Sequence, residues 1–339
     1  MIALNGDSPR GPSAPDKLVR RRRDGALRRI RVLALAIMVT TYLLIVLGST
    51  VRVTDSGMGC SSWPLCNGQV GPIDQFHPLM EESHRYLATI VTILIALLAV
   101  LVWRAGPKAR HVRKLAFVSV GVIVIQIVLG AITVLTKNSP ATVALHLIVG
   151  LLFLAVVTLT AVASFVDPEE SWSPFPRGDR LAWASVAGLF FVFVSGSLVV
   201  DGGAQSACKS WPACFESRAP AGLVTLQYLH RSLVFIGTGL VVIYLVTLWR
   251  RRSTFQAPHV LALCGLVLLA AQIIVGAFDA LLGAPTALAD VHLALASALW
   301  AVVVGIVALP TRGLRTQSRP IGSDDAPSRT LSNVDRRDT

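Results

Sequence analysis

Eight stretches of about 20 largely apolar residues, each long enough for a helix to cross the hydrocarbon core of a bilayer, lie at 32–50, 83–103, 115–136, 142–166, 181–200, 223–248, 259–279 and 287–309. In lipid every backbone N–H and C=O must be paired within the protein, so a run of this kind can only be a helix. The expected fold is an all-α integral membrane protein with eight transmembrane helices. Composition excludes the alternatives: 53% of the 339 residues are hydrophobic and 15% charged, with five cysteines. An ordinary soluble globule, a disordered chain, a coiled coil and a disulfide-rich mini-domain are all ruled out.

A net charge of +12 would suggest a nucleic-acid partner in a soluble chain. Here the basic residues follow the membrane instead, and no nucleic-acid partner is expected. With a cytoplasmic N-terminus, nine Lys/Arg precede the first span, five, two and three lie in inside loops, and six lie in the tail. That is 25 of the 31, leaving Arg52, Arg85, Lys137, Lys209, Arg218 and Arg231 for the outer side. The positive-inside rule therefore puts both termini in the cytoplasm of a cell (plasma) membrane protein. The Arg20–Arg23 cluster could open a signal peptide, but no small-residue cleavage site follows Val51, so the first span is expected to be retained. Residues 1–30 and 311–339 read as disordered cytoplasmic tails whose charge could touch anionic lipid.

The chain repeats itself. Gly48-Ser49-Thr50-Val51 and Cys60-x-x-Trp63-Pro64-x-Cys66 recur 148 residues later as Gly196-Ser197-Leu198-Val199 and Cys208-x-x-Trp211-Pro212-x-Cys214. At an offset of 146, His84-Arg85 matches His230-Arg231, Gln126-Ile127-x-x-Gly130 matches Gln272-Ile273-x-x-Gly276, and His146-Leu147 matches His292-Leu293. Two tandem four-helix bundles are expected, 31–166 and 181–310, joined by a Pro-rich cytoplasmic linker at 167–180. An even number of spans per repeat makes both copies enter the membrane in the same direction, so a pseudo-two-fold axis along the membrane normal would relate them.

Of seven histidines, His84, His146, His230 and His292 fall one in each even-numbered span, about one turn below its outer end. Both pairs are 62 residues apart, so each repeat can present two facing imidazoles, the arrangement of bis-imidazole haem ligation. An intramembrane histidine is often polar glue between helices, but chance rarely reproduces depth, pairing and spacing twice. Zinc would want further ligands, and the absence of C-x-x-C-H points to haem held non-covalently. Arg85 and Arg231 could pair with haem propionates or snorkel to the interface. Gly130 and Gly276 would let helices approach closely.

Cys60/Cys66 and Cys208/Cys214 lie in outer loops, where a five-residue spacer can close a disulfide, either as a loop staple or as a redox couple. Cys264 reads as a packing residue inside span seven. The halves differ three residues before the first ligand, where Glu81 faces Gln227. A carboxylate one turn from a bound cofactor could stabilise a cation or move a proton, whereas an amide could do neither. The competing reading of Glu81 is an interfacial carboxylate favoured by the helix dipole, with Glu82 as its control, expected to be nearly silent on substitution. No Asp, Glu, Lys or Arg occupies the centre of any span, which argues against a pump or ion-coupled transporter.

Taken together, Gly48-Ser49-x-Val51-Arg52-x-Thr54-x-Ser56-Gly57-x-Gly59-Cys60-x-x-Trp63-Pro64-x-Cys66-Asn67-Gly68, Glu81-x-x-His84-Arg85, His146, His230-Arg231 and His292 resemble the heme A synthase family, over roughly residues 30–310. The resemblance implies oxidation of the C8 methyl of haem O to the formyl group of haem A by successive hydroxylations and loss of water from a geminal diol. It further implies substrate haem between His84 and His146, Glu81 in catalysis, and haem B held by His230 and His292. The family's N-half cysteine pair is implicated in activity, and Cys60 and Cys66 match it. The second half has Val200-Asp201-Gly202-Gly203 in place of the Arg-x-Thr-x-Ser-Gly-x-Gly run, as suits a half relieved of substrate handling. Implied partners are the lipid bilayer, haem O synthase, cytochrome oxidase assembly factors and a second copy in a homo-oligomer. Two readings compete: a bis-histidine b-type membrane cytochrome that only transfers electrons, and a haem transporter or chaperone with labile haem.

Overall fold

The structure is a computed structural model that describes residues 14–60, 62–68, 74–174, 178–215, 217–250 and 257–309. The expected tail at 311–339 and part of the linker lie outside these residues, as does 1–13. Among the described residues there are α-helices and one 3₁₀ turn but no β-strand. The helices are α1 (Ala14–Val53), α2 (Phe76–Ala105), α3 (Arg110–Leu135), α4 (Pro140–Ala163), α5 (Arg180–Asp201), α6 (Ala221–Arg250), α7 (Ala257–Leu281) and α8 (Thr286–Val307).

Among the described residues seven helical segments are long and apolar enough to cross a membrane, and the chain is a multi-pass membrane protein. One of them, Phe76–Leu135, is 60 residues long and contains both α2 and α3. It breaks at Gly106, whose φ of 60° ends α2, and Pro107 then opens the 3₁₀ turn Gly106–Ala109. The chain folds back there, so that α3 packs against α2. Other ends are set by local chemistry: Pro140 occupies the first turn of α4, and the Asp179 carboxylate accepts from Ala182 N at 3.1 Å to cap α5.

Helix α1 differs from expectation. It begins at Ala14, inside the segment read as a disordered tail, and at 40 residues it is about 60 Å long, twice the hydrocarbon thickness. Once the apolar run has formed a helix, each added residue needs only propagation and no new nucleus.

Helices α1 to α4 pack in a ring, each on the next and α4 back on α1, and α5 to α8 do the same. Between the two rings α4 packs on α8, α1 on α8 and α4 on α5. Leu151, Leu154 and Val157 of α4 and Trp300, Val303 and Val307 of α8 are all buried in one continuous core. Trp300 Nε1 donates to the Leu151 carbonyl at 2.9 Å, a contact worth about 0.6 kcal/mol on average between membrane helices. At the end of α1 that follows Gly48, Thr50 Oγ1 donates to Asp290 at 2.7 Å, and Arg52 forms an ion pair with Asp201. Large apolar side chains such as Phe235, Leu135 and Trp103 point outward, as lipid requires. Cys264 also lies on an exposed face, with Val260, Leu263 and Val267, so it is not the packing residue expected from its position in the span.

Candidate functional site

In each ring the even-numbered helices occupy diagonal corners, and the four intramembrane histidines project from them: His84 on α2, His146 on α4, His230 on α6 and His292 on α8. His84 and His146 lie within electrostatic range of each other, as do His230 and His292. His84 and His230 sit eight and nine residues into their helices, and His146 and His292 both sit six in. They are therefore deeper than one turn, because α2 starts at Phe76 and not at the hydropathy boundary near 83.

Each imidazole rests against a glycine of the neighbouring helix. A Cβ placed on Gly48 of α1 would stand 2.9 Å from His84 Cε1, and one on Gly196 of α5 would stand 3.2 Å from His230 Cε1. The same holds on the odd helices opposite, with Gly130 at 3.5 Å from His146 Cε1 and Gly276 at 2.6 Å from His292 Cε1. Gly130 and Gly276 were legible as close-packing positions. Gly48 and Gly196 stood in the repeat, but their seat beneath a histidine needed the structure.

Polar accounting around the rings is incomplete in a telling way. The Nδ1 atoms of His84, His146 and His292 are enclosed and have no hydrogen-bond partner, although each residue as a whole is only half-buried. His230 Nδ1 is instead 2.9 Å from Ser195 Oγ. Gln126 donates to the His146 carbonyl at 3.0 Å, while its counterpart Gln272 places its amide nitrogen 3.2 Å from His292 Nε2. Paired imidazoles over glycine seats, in an apolar bundle with unsatisfied ring nitrogens, form a donor set that fits axial ligation of haem iron. Among the described residues no cysteine or carboxylate cluster forms around the histidines as a zinc site would want, the sole cluster being Cys60, Cys66 and Glu82.

The loops beyond these histidines are stapled. Cys60–Cys66 and Cys208–Cys214 are disulfide-bonded, with Cα–Cα distances of 4.6 and 5.3 Å, and all four residues are buried. Arg85 and Arg231 grip the loops identically: Arg85 Nη1 donates to the Ser62 and Pro64 carbonyls at 2.9 and 3.2 Å, and Arg231 Nη1 to those of Ser210 and Pro212 at 2.7 and 3.4 Å. Loop carbonyls thus take donors that the sequence had offered to haem propionates.

Glu81 is buried, and both of its oxygens are engaged. Oε2 accepts from Cys60 N at 2.8 Å, and Oε1 pairs with Arg85 at 2.6 Å. Its carboxylate therefore ties α2, the disulfide loop and Arg85 into one unit a helical turn from His84. Gln227, equally buried, anchors its own loop by donating to the Ala204 and Gln205 carbonyls at 2.7 and 3.2 Å. Glu82 corrects the sequence reading: it is as buried as Glu81, its Oε2 has no hydrogen-bond partner, and it lies within 4.8 Å of the Cys60 and Cys66 sulfurs. It cannot serve as a silent control for Glu81. Its counterpart Tyr228 bonds the Cys214 carbonyl at 2.7 Å, so the acid at this position belongs to the first half alone.

Fold and site together define a polytopic helical membrane protein whose intramembrane histidines are arranged in pairs, beneath disulfide-closed loops. The chain belongs to the COX15-CtaA family, described as cytochrome oxidase assembly protein, whose family model matches residues 31–304. It is similar to the heme A synthase of Geobacillus thermodenitrificans, at 28% identity over 308 residues, covering 86% of this chain and 94% of that protein. It is 32% identical over 267 residues to the heme A synthase of Symbiobacterium thermophilum, covering 74% and 85% of the two. The heme A synthase of Bacillus cereus is 30% identical over 292 residues, covering 82% and 93%.

Proposed function

We propose that this protein is a heme A synthase, oxidising the C8 methyl of haem O to the formyl of haem A. The observation that carries the reading is the near full-length similarity to heme A synthases, joined to four intramembrane histidines at repeat-equivalent positions. In this reading α2 and α3 are separate spans, so that eight helices form two four-helix halves, 31–166 and 181–310, about a pseudo-two-fold axis. The packing pattern supports it, since exchanging the halves turns the α1–α8 contact into α4–α5 and leaves α4–α8 unchanged. Both termini are cytoplasmic and the disulfide loops face outward, as the distribution of Lys and Arg requires.

The first half takes haem O between His84 and His146, and the second holds haem B through His230 and His292. When bound, haem B would supply a one-electron redox centre. The protein's own residues bind, orient and polarise. The glycine seats let the Cε1 edge of each imidazole come close to the neighbouring helix, and the apolar bundle excludes water. Glu81 is the group assigned to stabilise positive charge developing at the substrate methyl, because a fixed carboxylate in low dielectric favours such charge and Gln227 would not. Arg85 and Arg231 reach propionates only with the guanidinium donors that the loop carbonyls leave over. Haem O synthase and oxidase assembly factors are the proposed partners, and a homo-oligomer the proposed assembly.

The test is a pair of variants purified with their pigments. Glu81→Gln should retain haem while formyl production falls by about 10²-fold or more, since Gln227 demonstrates that an amide can hold the loop. His230→Ala should lose haem B. Normal haem A output from Glu81→Gln would remove Glu81 from catalysis.

A further inference from the structure

The two halves treat their first histidine differently. Ser195 Oγ, on α5, is 2.9 Å from His230 Nδ1 and also 2.9 Å from the Val192 carbonyl one turn earlier in its own helix, and the residue is buried. A hydroxyl has one hydrogen to give. Directed at the ring, that hydrogen would leave two oxygens facing each other at 2.9 Å with none between them. Both contacts are satisfied only when the hydroxyl donates to Val192 and accepts from His230 Nδ1–H. The neutral ring carries a single N–H, so its Nε2 is left with a free lone pair, the form needed to bind a metal.

At the 148-residue offset the position of Ser195 is taken by Leu47 in the first half, and Val192 by Leu44. Both first histidines approach the equivalent backbone carbonyl, His84 that of Leu44 and His230 that of Val192, but His84 Nδ1 has no hydroxyl beside it. The glycine seat is common to both halves, through Gly48 and Gly196. What the second half adds is the Ser195 hydroxyl, a further hold on the tautomer and the ring plane.

We infer that Ser195 is a positioning residue that locks His230 as a metal-ready ligand and makes the second-half haem site a permanent one, whereas Leu47 leaves His84 free to exchange what it binds. The inference rests on the reading of His230 as a haem ligand. It accounts for how one duplicated scaffold can keep a resident group in one half and turn over a substrate in the other. Ligand histidines held by an outer hydrogen bond bind metal typically about 10- to 100-fold more tightly than those without it.

The experiment uses the full-length protein purified with its haem. Transfer of haem B to excess apomyoglobin gives its release rate, and the low-spin ferric EPR signal reports the orientation of the axial imidazoles. Ser195→Ala should release haem B about 10- to 100-fold faster and shift the EPR signal. Ser195→Thr, which keeps the hydroxyl, should restore both. Wild-type release and an unchanged signal in Ser195→Ala would overturn the inference, as would equal acceleration in both variants, which would mean that packing alone is at stake. Haem B fully retained in His230→Ala would overturn the underlying ligand assignment instead, a separate and recognisable failure.

Discussion

Replacing Gly276 by alanine is the sharpest perturbation the bundle offers. The new Cβ would stand 2.6 Å from His292 Cε1 and 3.1 Å from Nδ1. Ordinary contact begins near 3.4 Å, so the imidazole must retreat by about 0.8 Å, beyond the roughly 0.5 Å tolerance of a preorganised site. Glycine to alanine within a helix otherwise favours folding by about 0.5–1 kcal/mol, and overpacking costs about 1–3 kcal/mol, so the sign depends on the ring giving way. The equivalent Gly130→Ala places its Cβ 3.5 Å from His146 Cε1, a comfortable contact. Reduced-minus-oxidised spectra of the two purified variants should therefore diverge: Gly276→Ala should bind the second-half haem at least about tenfold more weakly, about 1.4 kcal/mol, and come through purification with less of it, while Gly130→Ala keeps its pigment. Equal haem content in Gly276→Ala and wild type would refute the assignment of this glycine as a ligand seat.

Further expectations concern the seam, the first half and the orientation of the chain. Removing the Arg52–Asp201 ion pair by Arg52→Ala should lower stability by about 1–2 kcal/mol, less than for a fully buried pair because the guanidinium is a quarter exposed. Thermal melts followed through the haem absorbance would measure it, and additivity with Asp201→Asn would deny the pairing. Glu81→Gln should keep haem and the stapled loop while haem A output falls by about 10²-fold or more, as loss of a charge-stabilising group does. Mass detection of extracted pigments would decide it. Cysteines introduced at Lys137 and Lys108 should react with an impermeant maleimide in opposite ways, the first on intact cells and the second only after permeabilisation. The reverse pattern would invert the topology.

What the sequence disclosed was whatever depends on composition along one helix. Apolar length located the helices, the offsets of 148 and 146 exposed the duplication, and the recurrence of His84, His146, His230 and His292 singled out the ligand candidates. Hydropathy reads the lipid-crossing part of a helix, not its full length, which is why the start of α1 at Ala14 and of α2 at Phe76 lay outside the windows. Partners chosen across space were invisible. The carbonyls that capture Arg85 and Arg231 belong to loops whose path no periodicity encodes. Glu82 was expected to be nearly silent only because its neighbour Glu81 carried the family motif, yet the disulfide loop folds over both. Ser195 is one serine among many until α6 brings His230 against it.

The most direct measurement is of the pigments themselves. The protein would be purified from membranes that also express a haem O synthase, its haems extracted with acidified solvent, and the products separated with mass detection. Haem A, or its hydroxylated precursor, beside haem B is the expected result. Haem B alone, with haem O present and unmodified, would contradict the synthase assignment and leave a bis-histidine electron carrier in its place.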